Sequence, residues 1–344
     1  RDFSMRPRQW LSLISRTRAT VSFSPPFGFE LCARRLRPGE AADLDLSSWR
    51  VAGVGAEMIH PEVLDRFAAA VQPSGFDAKA FVPCYGMAEC SLAISFAPLA
   101  EGISVDRVET ERLAKEGVAI AVDQEGGPPE RISTFVNCGA PLAQFEVQIR
   151  DEEGRALPER HAGTIFLRGP SVMSGYFKDP EATRRTLSED GWLDTGDIGY
   201  RVGESIFVTG RRKDMIIING RNIWPQDIEY LAQQQPEVRS GDCLAFSAPG
   251  HDGEEMTVVV VQCRENDLAA RADLVKRIKA LVHAELGIDC HVELAPLHTL
   301  PRTSSGKLSR SKAQQNFIDL QHRQAGAAPD GQTLRQIPGK LSVG

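Results

Sequence analysis

The run Gly210-Arg-Arg-Lys-Asp-Met-Ile-Ile-Ile-Asn-Gly-Arg-Asn-Ile-Trp-Pro-Gln-Asp-Ile-Glu229 holds a basic step, an apolar segment and a turn in quick succession. Just upstream, Ser205 to Thr209 is rich in β-branched and aromatic side chains and predicts a short strand closed by Gly210. Met215 to Ile218 predicts a second strand. Asn219-Gly220 predicts a tight turn after it, because both residues tolerate positive φ. Pro225 suits the first position of a helix, whose N–H needs no partner. Asp227 and Glu229 favour the positive end of that helix, and Ile228, Leu231 and Ala232 form its apolar stripe until Pro236 ends it. Periodicity therefore predicts a strand, a basic joint, a hairpin and a helix. Alone, Arg211-Arg212-Lys213 reads as a solvated charge cluster.

The 344 residues, 42% hydrophobic and 25% charged, suit about two domains, one of them incomplete. A net charge of −6 argues against a nucleic-acid partner, and no apolar run is long enough to span a bilayer. Seven scattered cysteines without a Cys-x-x-Cys pair argue against a zinc site or disulfide framework and suit a reducing cytoplasm. Residues 1 to 24 carry five arginines against Asp2 alone, which imitates a mitochondrial transit peptide.

Three further stretches invite chemistry. Leu46 to Val54 predicts a buried strand leading into Gly53-Val-Gly-Ala-Glu-Met58. As a dinucleotide fingerprint this fails, because Met58 stands where the third small residue belongs. Ala80-Phe-Val-Pro leads into Cys84-Tyr-Gly-Met-Ala-Glu-Cys90, where Glu89 alone also reads as a buried structural glutamate. Strand-rich sequence from Phe135 to Thr209 carries Gly191-Trp-Leu-Asp-Thr-Gly-Asp-Ile-Gly-Tyr200. Between the last two, Pro98 to Val136 is crowded with charge and predicts a surface excursion with one short helix, Glu109 to Glu116, bounded by Gly117. Downstream, Thr257 to Cys263, Leu274 to Leu286 and His291 to Leu294 predict strand, helix and strand. Leu300-Pro-Arg-Thr-Ser-Ser-Gly-Lys-Leu-Ser-Arg310 fails as a phosphate loop, with Pro301 for the first glycine and Leu308 after the lysine.

Taken in order, the four motifs Cys84–Cys90, Gly191–Tyr200, Gly210–Glu229 and Leu300–Arg310 resemble the adenylate-forming superfamily of acyl-CoA synthetases, peptide-synthetase adenylation domains and luciferases. Gly-Arg-Arg-Lys-Asp with Asn-Gly-Arg-Asn-Ile-Trp-Pro-Gln-Asp-Ile-Glu, and Ala88 in place of the usual Thr, is similar to the fatty acyl-AMP ligases more narrowly. The resemblance covers the chain to about Ile318. It makes the N-terminal arginine-rich segment an interior stretch, so that residue 1 would be a truncation point.

The resemblance implies an α/β fold. Residues 1–213 would be the C-terminal part of a large α/β domain, with 98–136 a family insertion and 137–210 a β-barrel subdomain. Residues 214–320 would form a small mobile α+β domain, and 321–344 a disordered tail. ATP and Mg²⁺ would be the cofactors. Gly55, Ala56 and Glu57 would contact adenine with Tyr85, Gly86, Met87 and Ala88, while Glu89 would hold the Mg²⁺. Asp197, favoured over Asp194, and Arg211 would position the ribose; Arg221 would lie near the phosphates. Lys307 would neutralise charge at the α-phosphorus, and Lys213-Asp214 would be the hinge, Lys213 first. The implied reaction joins a fatty acid to AMP, releases pyrophosphate, and passes the acyl group to the thiol of an acyl carrier protein.

Three rivals stand beside it. An acyl-CoA synthetase differs only in acceptor, and the 98–136 segment discriminates. A peptide-synthetase domain needs an aspartate for the substrate ammonium, for which no residue here offers itself. A non-catalytic nucleotide-binding fragment gains from the absence of an upstream Ser/Thr/Gly-rich phosphate loop with its lysine.

Overall fold

Apolar β-branched runs in the first half line up as a sheet whose strand ends carry the motif residues. In the computed structural model, residues 2–37, 39–122, 131–218, 220–239, 241–250, 254–302 and 308–326 are described. Helices α1 (Asp2–Met5) and α2 (Arg8–Thr17) precede β1 (Val21–Ser24) and α3 (Pro26–Arg35). Then come β2 (Val51–Val54), α4 (Pro61–Val71), β3 (Phe81–Gly86) and β4 (Ala93–Phe96). The transit-like composition is therefore folded: Leu11 and Ile14 of α2 are buried in the core, while Arg8 turns outward to Glu40 and Asp43. Strands β1, β2 and β3 are parallel, with Val54 beside Pro83, so Gly55 and Cys84 leave adjacent strand ends side by side. An aromatic cluster of Phe29, Trp49, Phe67, Phe76 and Phe81 fills the space beneath, with edge-on and tilted contacts at 5–6 Å.

The 98–136 segment is more than a surface excursion. Strand β5 (Val105–Glu109) pairs with β6 (Ile132–Val136), and α5 (Thr110–Glu116) ends on Gly117 at φ 68°. Val108, Leu113 and Phe135 bury themselves against Tyr200 and Phe207, whose rings stack 5.1 Å apart. The Tyr200 hydroxyl donates to Asp106 at 2.9 Å, and Arg160 reaches the same carboxylate at 3.0 Å. Charge density at the surface conceals this small core in the sequence.

After β7 (Ala140–Pro141) the strands β8 (Glu146–Arg150), β9 (Gly163–Arg168), β10 (Leu193–Val202) and β11 (Ser205–Arg211) form one antiparallel sheet, with α6 (Pro180–Thr186) between β9 and β10. The expected barrel is corrected to a sheet that does not close on itself among the described residues: β8 and β11 are its outermost strands and do not pair with each other, and β11 bonds instead to residues 137–139. Nor does Gly210 close β11. It lies within the strand, where an added Cβ would come within 2.5 Å of the Trp224 ring.

A second set of strands and helices, with a core cluster of its own, follows a single 3-10 turn, Arg212–Asp214. Strands β12 (Ile216–Ile218) and β13 (Arg221–Ile223) pair Ile218 with Arg221, the hairpin register expected, and Gly220 has φ 71°. Helix α7 (Pro225–Gln233), α8 (Leu268–Leu286) and α9 (Arg310–Gly326) pack on a sheet of β14 (Cys243–Pro249), β15 (Glu255–Gln262) and β16 (Cys290–Ala295). Ile228, Val259, Val261, Ile278 and Val282 make its core. The expected tail from 321 is corrected in part, since α9 runs on through Gly326; residues 327–344 lie outside the described residues.

Candidate functional site

The parallel strands end where the motif side chains converge. Tyr85, last but one in β3, is buried and its hydroxyl donates to Asp197 Oδ2 at 2.7 Å. Arg211, at the end of β11, donates through Nε to Asp197 Oδ1 at 2.9 Å. These two strands place the partners because β10 and β11 pair Asp197 directly with Arg211. Asp197 is 6% exposed. Burial pushes its carboxyl up, and the Arg211 charge and the Tyr85 hydroxyl pull it back. Burial raises Tyr85 well above the usual phenol range, and the Asp197 charge adds to that.

Asp194, the competing carboxylate, faces another partner. It accepts from Arg212 at 2.8 Å and from the Gly196 backbone at 2.8 Å. Adjacent arginines thus serve carboxylates three residues apart, and only Asp197 joins Tyr85.

Glu89 sits in a short 3-10 turn after β3 and is half-buried, which removes the buried structural reading. Tyr176 donates to its Oε1 at 2.8 Å. Burial raises the Tyr176 hydroxyl first, then Glu89. Among the described residues no three His, Cys, Asp or Glu side chains gather to hold a metal. A single carboxylate fits a hard cation that takes its other ligands from phosphates and water.

Gly55 makes a close approach within the protein itself. A Cβ there would lie 2.5 Å from the Cys84 carbonyl, so the glycine admits a neighbouring strand end. Ala56 follows at φ 67°, in the left-handed region. A Cβ on Gly86 would strike the Leu92 carbonyl at 1.8 Å, which ties that residue to the return into β4. Met87 and Ala88 occupy the turn that presents Glu89.

Arg221 of β13 pairs with Glu111 of α5 at 2.9 Å and donates to the Leu286 carbonyl at the end of α8 at 3.1 Å. Lys307 falls in 303–307, outside the described residues. Of the hinge pair, Lys213 is exposed, while Asp214 accepts from Arg310 at 3.0 Å.

Sequence reading missed Thr195, Tyr176 and Arg310. Thr195 accepts from the Asp197 N–H at 3.0 Å and donates to the Ile165 carbonyl at 2.7 Å, fixing the turn that aims Asp197. Its place in Thr-Gly-Asp was a usable signal. Tyr176 is 87 residues from Glu89, and no local pattern announces that pairing.

A family model described as AMP-binding enzyme matches residues 1–177. The chain is 47% identical over 317 residues to a candidate acyl-CoA synthetase of Caulobacter vibrioides, covering 92% of this chain and 55% of that protein. It is 36% identical over 333 residues to JamA, a medium-chain-fatty-acid–[acyl-carrier-protein] ligase of Moorena producens, again covering 92% and 55%. A solved structure from a study of fatty acyl-adenylate ligases of E. coli and L. pneumophila superposes with a TM-score of 0.88 at 46% identity, over 94% of this chain and 57% of that one. The chain spans about half the length of the curated relatives it matches.

Proposed function

From the premise that this chain belongs to the AMP-binding enzyme family, we propose that it is the nucleotide-binding and hinge portion of a fatty acyl-AMP ligase. The observation that carries the reading is the buried Tyr85–Asp197–Arg211 cluster at the ends of parallel strands. A carboxylate so held offers acceptor oxygens to two ribose hydroxyls at a fixed place, which is positioning and not bond-making. ATP is the co-substrate and a fatty acid the acid that it activates.

The chemical difficulty is charge. A carboxylate must approach a polyanion, and Mg²⁺ when bound supplies Lewis-acid charge at the phosphates. Glu89 would take that ion on the oxygen not engaged by Tyr176, and Lys307 would bring an ammonium to the developing charge. The acyl group would then pass to a carrier-protein thiol, with the small domain swinging about residues 213–214.

The choice of acceptor rests on the 98–136 segment. Its α5 holds the small domain through Glu111 and Arg221, and Arg131 donates to the Ala284 carbonyl at 3.5 Å. Such a tie restricts rotation that would open a path for CoA, so specificity comes from obstructing the competitor. The Caulobacter relative's name favours the rival acyl-CoA reading, and the JamA name favours the carrier protein.

The test uses a polypeptide extended to the length of the relatives. Fatty-acid-dependent ATP–pyrophosphate exchange is expected, with loading of holo-acyl carrier protein and little acyl-CoA. Efficient acyl-CoA synthesis would promote the rival, and absence of exchange with any fatty acid would end the reading.

A further inference from the structure

Glu89 is held by a loop that comes from far along the chain. Between β9 and β10, residues 169–178 run Gly-Pro-Ser-Val-Met-Ser-Gly-Tyr-Phe-Lys before α6 begins. Three groups of this loop reach the short turn after β3. The Ser171 hydroxyl donates to the Cys90 carbonyl at 2.9 Å, the Met173 N–H to the Glu89 carbonyl at 2.7 Å, and the Tyr176 hydroxyl to Glu89 Oε1 at 2.8 Å. The main chain and the carboxylate of one residue are thus gripped together. Tyr176 is itself fixed from behind. Its N–H donates to the Thr183 hydroxyl of α6 at 2.9 Å, and that hydroxyl donates to the Asp179 carbonyl at 2.8 Å. Asp179 caps the helix by accepting from the Ala182 N–H at 2.9 Å. A Cβ on Gly175 would come within 2.8 Å of the Thr183 methyl, so the loop lies flat against α6. Among the described residues no donor reaches Glu89 Oε2.

We infer that Tyr176 is the positioning residue of this carboxylate: it presents Glu89 to a cation through one oxygen and so selects Mg²⁺ over Ca²⁺. Mg²⁺ demands a tight octahedron and keeps several waters, and the narrow bite of a two-oxygen carboxylate does not fit it. Ca²⁺ takes more oxygens at longer range and readily accepts both from one carboxylate. A phenol proton on Oε1 competes with any ion for that oxygen, and the Thr183 contact keeps the phenol from yielding. Oε2 is left to enter an octahedron whose other places go to phosphate and water. Hydrogen-bonded partners of this kind orient the groups that hold a metal and tune its affinity. The role rests on the proposed reading of Glu89 as the Mg²⁺ residue of an ATP site. It goes further by assigning the choice between ions to a residue 87 positions away.

Calorimetric binding of α,β-methylene ATP to the extended polypeptide tests it, with the nucleotide titrated once as its Mg²⁺ complex and once as its Ca²⁺ complex. Wild type should favour the Mg²⁺ complex. Tyr176→Phe keeps the ring and removes only the hydroxyl. It should cut that preference roughly tenfold, weakening the first complex and tightening the second. Thr183→Val loosens the phenol without removing it and should shift the ratio the same way by less. Tyr176 is 37% exposed, so the urea midpoint of Tyr176→Phe should stay at the wild-type value. An unchanged ratio in Tyr176→Phe, or an equal loss for both ions, would overturn the role. So would a wild type that binds the two complexes alike. If wild type binds neither complex, the ATP reading of the site fails and takes this role with it. If wild type favours Mg²⁺ and Tyr176→Phe does so equally, the role fails alone.

Discussion

Two regions of the molecule use charged side chains in opposite ways. At the strand ends, Asp197 is almost wholly buried and is met by a phenol and a guanidinium. At the seam between domains, Glu111 stands about a third exposed among Arg221, Arg131 and Lys115. The Lys115 hydrogen bond is the main reason that its carboxyl is held below the usual range. A buried carboxylate that loses its partner has no water to replace it, whereas a half-exposed one does. The first arrangement suits a fixed site. The second suits the proposed swing, in which the contact would be made and broken. Across the same seam His60 stacks on Tyr230 at 4.4 Å, and Gln226 donates to the Thr209 carbonyl at 2.9 Å.

The largest effect is expected at the lysine. In the extended polypeptide, Lys307→Ala should slow adenylation about a thousandfold or more, on the order of 4 kcal/mol of barrier. Transfer from supplied acyl-adenylate should largely survive. Equal collapse of both half-reactions, measured separately, would make the lysine structural.

Next come the neighbouring arginines, which sharpen the comparison within one dipeptide. Arg211→Met strands the buried Asp197 and should cost about 1–3 kcal/mol in a urea titration. Arg212→Met releases the more exposed Asp194 and should cost less than about 1 kcal/mol. Similar losses would show that burial does not separate the two regions.

Much of this was legible in the sequence, and the parts that were not share a cause. The hairpin that pairs Ile218 with Arg221 and helix α7 followed from turn chemistry, while Tyr85 and Asp197, whose side chains meet, were assigned to one nucleotide site only through the family resemblance. Strand β10 was obscured because Asp194, Gly196 and Asp197 interrupt its apolar pattern, and the edges of the sheet gave no sign that it stays open. Arg221 reads as a phosphate ligand by position, yet its partner Glu111 lies on a segment whose fold depends on contacts with Tyr200 and Phe207. Glu229 looked like a dipole-favouring acid; in the structure it is the anchor for Arg310, 81 residues away. Long-range polar pairing leaves no periodic trace.

Smaller effects belong to the seam. Glu111→Gln should change stability by less than about 1 kcal/mol and yet raise acyl-CoA formation, since the tie it loosens governs rotation and not folding. Shortening 98–136 to a tight loop should raise it further without abolishing adenylation. Unaltered acceptor choice in both would detach the segment from specificity.

His60 should show the least effect at neutral pH. Packing lowers its imidazole to about 4, with Arg66 adding to the shift. A base depressed in the folded state contributes stability that is present above its ordinary value near 6.5 and lost as pH falls towards about 4. His60→Phe keeps the stack on Tyr230 and should remove that part of the acid dependence. Identical denaturation profiles between pH 7 and pH 4 would contradict it.

The central claim is that the Asp197 cluster, and not its neighbour three residues earlier, receives the ribose of an adenylate. Calorimetric titration of the extended polypeptide with a non-hydrolysable acyl-sulfamoyl adenosine tests it most directly. Asp197→Asn should lose most of the binding, because an amide cannot offer two acceptor oxygens to the ribose diol, while Asp194→Asn should bind nearly as wild type does. Equal loss in both variants, or full binding by Asp197→Asn, would contradict the account.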